Sequence, residues 1–471
     1  KTKIICTLGP ATDKEGILEA LIREGMDVAR FNFSHGTHEE QKVRLEKLKT
    51  LRKQFDKPIA ALLDTKGPEI RIGCFKDHKI TLEEGQEFML VNDEIDGTNE
   101  RVSITYKDLY KDVQPGDSIL IDDGLVGMEV VNIVGKDIVC RVKNGGDISD
   151  HKGVNVPGVE LKMPFISPKD RDDLMFGIQE DFDFVAASFT RTADDVREMR
   201  KLLNDNGGQS INIIAKIENQ QGVDNIDAII EEADGIMIAR GDMGVEIPLE
   251  HVPIIQQRII EKVYEAGKVV ITATQMLDSM MIHPRPTRAE TTDVANAIAQ
   301  GTSAIMLSGE TAAGKYPVEA LKMMVKIAVH MERNIDYNAI FRRRERSEDP
   351  DITNAISHAT CMTAIDLKAN AILAVSKTGN TARMISKYRP ECLIAGCSSS
   401  EKVYRQLNLS WGILPLQIRE EYSSEILCLR AIEAAQTHGI VEEGDKIVFT
   451  GGIPLGIPGR TNLIRVCIVG E

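Results

Sequence analysis

Lys216-Ile217-Glu218 closes a short apolar run at 211–217. Side chains alternate along an extended strand, so Lys216 and Glu218 share one face and Ile217 takes the other. Asp242 follows the next apolar run, in Ala239-Arg240-Gly241-Asp242. Two carboxylates on neighbouring strand ends, with few nitrogen or sulfur ligands nearby, suit a hard cation such as Mg²⁺. A lysine beside them serves either an anionic substrate or a buried Lys–Glu ion pair. Gly241 allows backbone N–H groups to approach an anion. Arg30, Asn32 and Ser34 share a face of another strand end, in Arg30-Phe31-Asn32-Phe33-Ser34-His35. That set fits phosphate and a monovalent ion, or an ordinary polar rim. Asp64 to Arg71 (DTKGPEIR) adds two acids and two cations, and Thr274 and Ser308 end two further runs with hydroxyls. No His-x-x-x-His pair and no Ser–His–Asp arrangement is legible, so zinc hydrolysis and acyl transfer rank low. Arginine, lysine and Mg²⁺-type carboxylates without an evident nucleophile suit phosphoryl transfer, which needs positioning and charge neutralisation. They also suit enolate chemistry, where a metal and a cation hold a developing oxyanion.

These residues need a scaffold that gathers strand ends. Apolar runs at 3–8, 26–33, 59–64, 183–189, 211–217, 235–240, 268–273 and 303–307 alternate with amphipathic helical patterns such as 13–25, 38–55, 193–204, 222–233, 251–266 and 316–334. Eight strands in that rhythm predict a (β/α)₈ TIM barrel, whose active sites lie at the C-terminal ends of the strands. Asn32, Asp64, Ser188, Lys216, Asp242, Thr274 and Ser308 fall at such ends.

The stretch 68–165 changes character, with short β-like runs and turn signals at Asp96-Gly97, Asp123-Gly124 and Asn144-Gly145-Gly146. It predicts a small β-barrel lid domain inserted in a rim loop. The barrel domain is then 1–67 and 166–336. A charged stretch, Phe341 to Pro350, reads as a linker. The remainder, 337–471, predicts an open α/β sheet domain. There, Ser376-Lys377-Thr378-Gly379-Asn380-Thr381 forms a strand-to-helix turn, which is either a phosphate cradle or an ordinary capped turn.

The 471 residues carry 57 basic and 72 acidic side chains, a net charge of −15. That argues against nucleic acid or an anionic membrane as general partners. No run is long and apolar enough for a membrane span. The start lacks the features of a secretory signal, and the eight cysteines have no metal-like spacing. A cytoplasmic protein with reduced, packed cysteines is expected.

Eight motifs in order resemble the pyruvate kinase family: Arg30–Gly36 (RFNFSHG), Asp64–Arg71 (DTKGPEIR), Lys152–Gly158 (KGVNVPG), Lys216–Asn219 (KIEN), Ala239–Gly244 (ARGDMG), Ile271–Leu277 (ITATQML), Pro284–Glu290 (PRPTRAE) and Met306–Thr311 (MLSGET). The resemblance implies phosphoryl transfer from phosphoenolpyruvate to ADP, giving ATP and pyruvate in glycolysis. It implies Mg²⁺ (or Mn²⁺) on Glu218 and Asp242, and K⁺ on Asn32, Ser34, Asp64 and Thr65. Lys216 is expected to bridge the transferring phosphoryl and stabilise the enolate, with Arg30 beside it. Thr274 and Ser308 are expected near the carbon that is protonated, and backbone at Gly241 and Asp242 to hold the substrate carboxylate. Arg71, Lys152, His35 and Asn32 are expected on the nucleotide side, with Asp123 of the lid helping closure. Glu69 accompanies K⁺ dependence in the family, where a lysine otherwise replaces the ion's charge. Ser376–Thr381 implies a sugar-phosphate or similar phosphorylated effector, with Arg460 opposite, and a homotetramer is implied. Ala313 stands where many members have lysine, which puts one nucleotide contact in question. The end at Glu471 implies absence of the extra C-terminal phosphohistidine-type domain of some bacterial relatives. Two alternatives are a Mg²⁺-dependent enolate-forming barrel enzyme of aldolase or mutase type, and a non-catalytic sugar-phosphate sensor. The Asp64–Arg71 motif and the lid speak against the first, and intact Lys216, Glu218, Asp242 and Thr274 against the second.

Overall fold

The computed structural model describes residues 1–343, 351–455 and 460–471. Most of the expected linker, and the middle of the 451–462 loop, lie outside the described residues.

The eight apolar runs are strands: β1 (Lys3–Leu8), β2 (Val28–Asn32), β3 (Ala60–Asp64), β4 (Phe184–Ala187), β5 (Asn212–Ile217), β6 (Gly235–Ala239), β7 (Val269–Ala273) and β8 (Ala304–Leu307). Each pairs in parallel with its sequence neighbours, and β1 pairs with β8, closing the barrel. Being covered on both sides, they read as continuous apolar runs. Alternate residues separate cleanly. Ile5, Val28, Leu62, Ala186, Ile214, Met237, Ile271 and Met306 fill the barrel interior. Cys6, Ala29, Leu63, Ala187, Ile213, Ile238 and Leu307 face the surrounding helices. Continuing the inner parity to the strand ends gives Arg30, Asp64, Ser188, Lys216 and Ser308. The period of the strand therefore delivers these side chains to one rim.

Several helices were not legible. Pro168–Gln179 and Arg288–Gln300 open with capping boxes, Ser167 with Asp170 and Thr287 with Glu290. The pattern at 222–233 is two helices, Gln220–Asp224 and Ile226–Glu232. Arg240–Glu246 is also helical, so Asp242 lies in a first turn and not on a strand.

Within 68–165, Ile70–Arg71, Gly153–Asn155, Ser118–Ile121, Val126–Val134, Asp137–Asn144, Glu87–Val91 and Arg101–Ser103 form a seven-stranded sheet in that order. A bridge between Ile72 and Ile104 joins its two edges, so the sheet curls around its own core of Phe88, Leu90, Val102 and Ile119. A two-stranded ribbon, Lys79–Leu82 with Gly146–Ser149, and a short helix, Leu109–Asp112, complete it.

The C-terminal sheet comprises β9 (Ala371–Val375), β10 (Leu393–Ser398), β11 (Ile413–Gln417), β12 (Lys446–Gly451) and β13 (Leu463–Ile468). Its order is β11-β10-β9-β12-β13, with only β13 antiparallel. It docks under the barrel. Leu409 is fully buried in the barrel's inner cluster, and Arg405 Nε lies 2.8 Å from Asp183 Oδ1. Among the described residues no helix is long and apolar enough to cross a membrane. All eight cysteines are free thiols, five of them buried.

Candidate active site

The ends of β2, β3, β4 and β5 bring one charged cluster together. Lys216 Nζ lies 2.7 Å from Ser188 Oγ, 3.1 Å from Asp64 Oδ1 and 3.0 Å from Glu218 Oε1. Arg30 Nε donates to Asp64 Oδ2 at 2.6 Å, and its Nη1 donates to Thr7 Oγ1 at 3.1 Å. Asp64 thus holds two cations, one on each oxygen. The four side chains are nearly buried, and their charges compensate within the cluster.

Burial disfavours the Lys216 ammonium, but Asp64 and Glu218 outweigh it and raise its pKa. Lys216 therefore stays charged at neutral pH. Burial likewise opposes the Asp64 carboxylate, yet Arg30 and Lys216 hold it below the usual range. Glu218 goes the other way. Burial, with Asp242 adding repulsion against the opposing pull of Lys216, pushes it up to about 7.

Glu218 is held by its other oxygen, which accepts the Phe189 N–H at 2.5 Å. Its Oε1 is buried and accepts no aligned hydrogen bond, despite the ammonium at 3.0 Å. A buried carboxylate oxygen that is ion-paired but accepts no aligned hydrogen bond keeps lone pairs a cation can use. Among the described residues no three histidine, cysteine or acidic side chains converge on one point. A site of one or two carboxylates completed by substrate oxygens suits Mg²⁺.

Gly67 explains the tight exit from β3. Its φ is +74°, and a Cβ there would lie 2.8 Å from that of Ser188. Asp170 Oδ1 accepts the Gly67 N–H at 3.1 Å. Thr65 is buried, and its Oγ1 accepts the Ser188 N–H at 3.2 Å. Asn32 stands opposite Asp64 in register, and Asn32 Oδ1 accepts the Ser34 N–H at 3.0 Å. Amide, hydroxyl and carboxylate oxygens are thus gathered at the ends of β2 and β3.

Thr274 sits across the rim. It and Gln275 have φ of +68° and +54°. Its Oγ1 donates to Ala273 O at 2.6 Å and accepts the Gly241 N–H at 2.7 Å. The Gly241 amide expected on a substrate carboxylate is therefore engaged by Thr274 in this state. Ser308 Oγ is buried without a hydrogen-bond partner.

The lid-side residues do not join the cluster. Arg71 Nη2 is 2.5 Å from Glu69, and Lys66 is 3.7 Å from the same carboxylate. Lys152 pairs with Asp122 at 2.9 Å. A cleft lies between lid and barrel, with Glu69 and Asp123 on one side and Asp242 on the other, and Asn155 Nδ2 bridges it by donating to Glu246 Oε1 at 2.8 Å. Burial and then Asp242 raise the Asp123 pKa. His35 is exposed, and its carbonyl accepts from Gln41.

Residues 1–321 match the family model described as pyruvate kinase, barrel domain, and 354–467 the one described as pyruvate kinase, alpha/beta domain. The chain belongs to the pyruvate kinase family. Relatives named pyruvate kinase include those of Clostridium acetobutylicum, 51% identical over 470 residues, covering 100% of this chain and 99% of the relative. That of Clostridium perfringens is 50% identical, with 99% of each covered. A solved pyruvate kinase from Cryptosporidium parvum superposes with a TM-score of 0.95 at 39% identity, covering 99% of this chain and 96% of that one. The chain is accordingly a phosphotransferase of this family.

Two positions escaped the sequence reading as functional groups. Ser188 bonds Lys216 and also lies 3.1 Å from Asp64. Its place at the end of β4 was the available signal. Arg240 donates to Thr274 O at 2.8 Å and to Asp293 at 2.7 Å, fixing the turn that carries Thr274. No spacing in the sequence links Arg240 to residues 34 and 53 positions later.

Proposed function

We propose that the chain transfers the phosphoryl group of phosphoenolpyruvate to ADP, giving ATP and pyruvate, with Mg²⁺ (or Mn²⁺) and K⁺ required. The observation that carries this is the buried Lys216 ammonium fixed between Asp64, Ser188 and Glu218 at the barrel rim.

Lys216 supplies a permanent positive charge where the phosphoryl bridge breaks. It follows the negative charge as this passes to the enolate oxygen. Arg30 is clamped by Asp64 and Thr7, and its remaining N–H groups would meet the phosphoryl oxygens. Glu218 and Asp242 would hold Mg²⁺. Asn32, Ser34, Asp64 and Thr65, an all-oxygen set, would hold K⁺. When bound, these cations neutralise phosphoryl charge. The Thr274 hydroxyl proton points at Ala273 O, so protonation of the enolate carbon needs that turn to reorient or a water to relay. Substrate carboxylate would displace Thr274 from the Gly241 amide. Arg71, Lys152, His35 and Asn32 take the nucleotide side, and Asp123 approaches as the lid closes. A glycolytic role in the cytoplasm and a homotetramer accompany this reading.

A phosphorylated effector is proposed at Ser376–Thr381. The loop lines a cleft together with Arg460 and Thr461. Gly379 has φ +79° and opens the helix Asn380–Lys387. Thr381 and Thr461 hydroxyls lie 2.8 Å apart, tying the loop to the opposite wall.

The test is pyruvate production from phosphoenolpyruvate and ADP with Mg²⁺, in KCl and in tetramethylammonium chloride. Turnover in KCl that collapses in tetramethylammonium is expected. Equal rates in both buffers defeat the K⁺ assignment, and no turnover in either, with phosphorylated effectors added, defeats the reaction.

A further inference from the structure

Cys428 and Cys467 are 39 residues apart in the chain, yet their sulfurs meet at 4.0 Å in the C-terminal domain. Cys428 lies in the second turn of the helix Ser424–Thr437, and Cys467 lies on β13. Helix and strand meet over an apolar cluster that includes Leu416, Ala431, Ile447 and Phe449. Other thiols of the chain turn to backbone oxygens instead. Cys140 donates to Ile138 O, Cys397 to Ala395 O and Cys361 to Ile385 O. Cys428 turns to a second thiol.

The two sulfurs are unequal. Cys428 is buried at 3% exposure, and Cys467 is only partly covered. Burial pushes the Cys428 thiol up to about 12, with Cys467 adding to it and Arg465 pulling the other way. Cys428 therefore rests as a neutral thiol, and Cys467 is the sulfur that a dissolved oxidant reaches first. Cys467 also sits where the fold can yield. Strand β13 is the edge of its sheet and pairs only with β12. Bonded sulfurs stand about 2 Å apart, so the contact must close by about 2 Å. A strand with one neighbour can move that far without breaking a second ladder.

We propose that Cys428 and Cys467 are a redox-active dithiol, converted to a reversible disulfide when a hydroperoxide reaches Cys467. The Cys467 sulfur attacks one peroxide oxygen, the O–O bond breaks, and Cys467 becomes a sulfenic acid with release of one water. The Cys428 sulfur then attacks the Cys467 sulfur. Its proton leaves with the hydroxyl as a second water, and the S–S bond forms. Two thiols lose two electrons and two protons, and one hydrogen peroxide is reduced to two waters. A dithiol reductant restores both thiols by exchange. The bond fastens the helix Ser424–Thr437 to β13. Ser424 and Leu427 of that helix and Leu463 of β13 line the cleft beside the 376–381 loop, so oxidation fixes two walls of that cleft to each other. A transient disulfide of this kind suits a reducing compartment, where lasting ones are rare.

The full chain is reduced, freed of reductant and treated with hydrogen peroxide in molar excess. It is then blocked with N-ethylmaleimide and digested with trypsin. Cleavage after Arg419, Arg430 and Arg465 places Cys428 in the peptide 420–430 and Cys467 in 466–471. These two peptides should appear joined, lighter by two hydrogens than their sum. The joined species should vanish after dithiothreitol. In C428S, Cys467 should stop at the sulfenic acid and be trapped by dimedone, and in C467S the Cys428 thiol should stay unoxidised. Absence of the joined peptides in the native chain overturns the proposal. So does linkage of Cys428 to Cys397 in their place, or oxidation of Cys428 in C467S as fast as in the native chain. If circular dichroism finds either variant unfolded, the peptide map of the native chain decides alone.

Discussion

The divalent ion proposed at Glu218 would compete with a proton there, and the competition has a calculable slope. Burial and Asp242 push its carboxyl from 4.5 to about 7 against the pull of Lys216. That displacement disfavours the charged form by about 3 kcal/mol. The sign follows directly. A carboxyl with a raised pKa contributes stability to the metal-free chain that is fully present below about 4.5 and lost as pH rises through about 7. A cation that binds the carboxylate must displace the proton below that point. Divalent-ion affinity should be flat above about pH 8, fall about tenfold per unit below 7, and be roughly thirtyfold weaker at pH 5.5. Mn²⁺ titration followed by electron paramagnetic resonance, from pH 5.5 to 8.5, measures the slope. Calorimetry in two buffers of different ionisation enthalpy should count about one proton released at pH 6 and almost none at pH 8.5. In E218Q the affinity should be low and its pH dependence lost. Affinity that stays level from pH 5.5 to 8, or a slope that survives in E218Q, refutes the reasoning.

Three further outcomes are expected. K216M should lower kcat by at least 10²–10³-fold, roughly the loss of one preorganised transition-state donor, with the circular dichroism spectrum retained; near-normal turnover removes the assigned role. Arg240 positions Thr274 without entering the Lys216 cluster, so R240M should reduce kcat while the KM for ADP stays put, and R240K should recover part of it; a change confined to KM would refute the positioning role. D183A strips a fully buried carboxylate from Arg405 and the Ala61 N–H, and should cost about 3–5 kcal/mol in urea unfolding; a loss below 1 kcal/mol would mean that this docking contact is not a buried ion pair in solution.

Legibility followed the physics of each element. The barrel strands were readable because both their faces are covered, which writes an uninterrupted apolar run at every strand. The rim was readable because period-2 alternation carries Arg30, Lys216 and Glu218 to predictable faces. The short strands Ile70–Arg71 and Gly153–Asn155 were not, since two or three residues hold no periodicity. The helix Arg240–Glu246 was missed for a related reason. It has only seven residues, two of them glycine, and its conformation depends on where β6 ends against its neighbours.

By itself the sequence determined the (β/α)₈ rhythm, which rests on short-range periodicity, and the family resemblance, which rests on eight motifs in order along the chain. Tertiary structure alone decided which charges compensate one another. Asp64 and Lys216 are 152 residues apart in the chain, yet their 3.1 Å contact keeps the lysine charged. Glu218 and Lys216 share one strand end, yet only burial beside Asp242 lifts Glu218 to about 7. Arg389 is an ordinary arginine in sequence, and only the packing of two domains buries its guanidinium over Trp411 and Tyr264 with Nη2 on Gly301 O. Coulomb energy and desolvation depend on distance and dielectric, and a folded chain sets both through contacts that sequence separation does not encode.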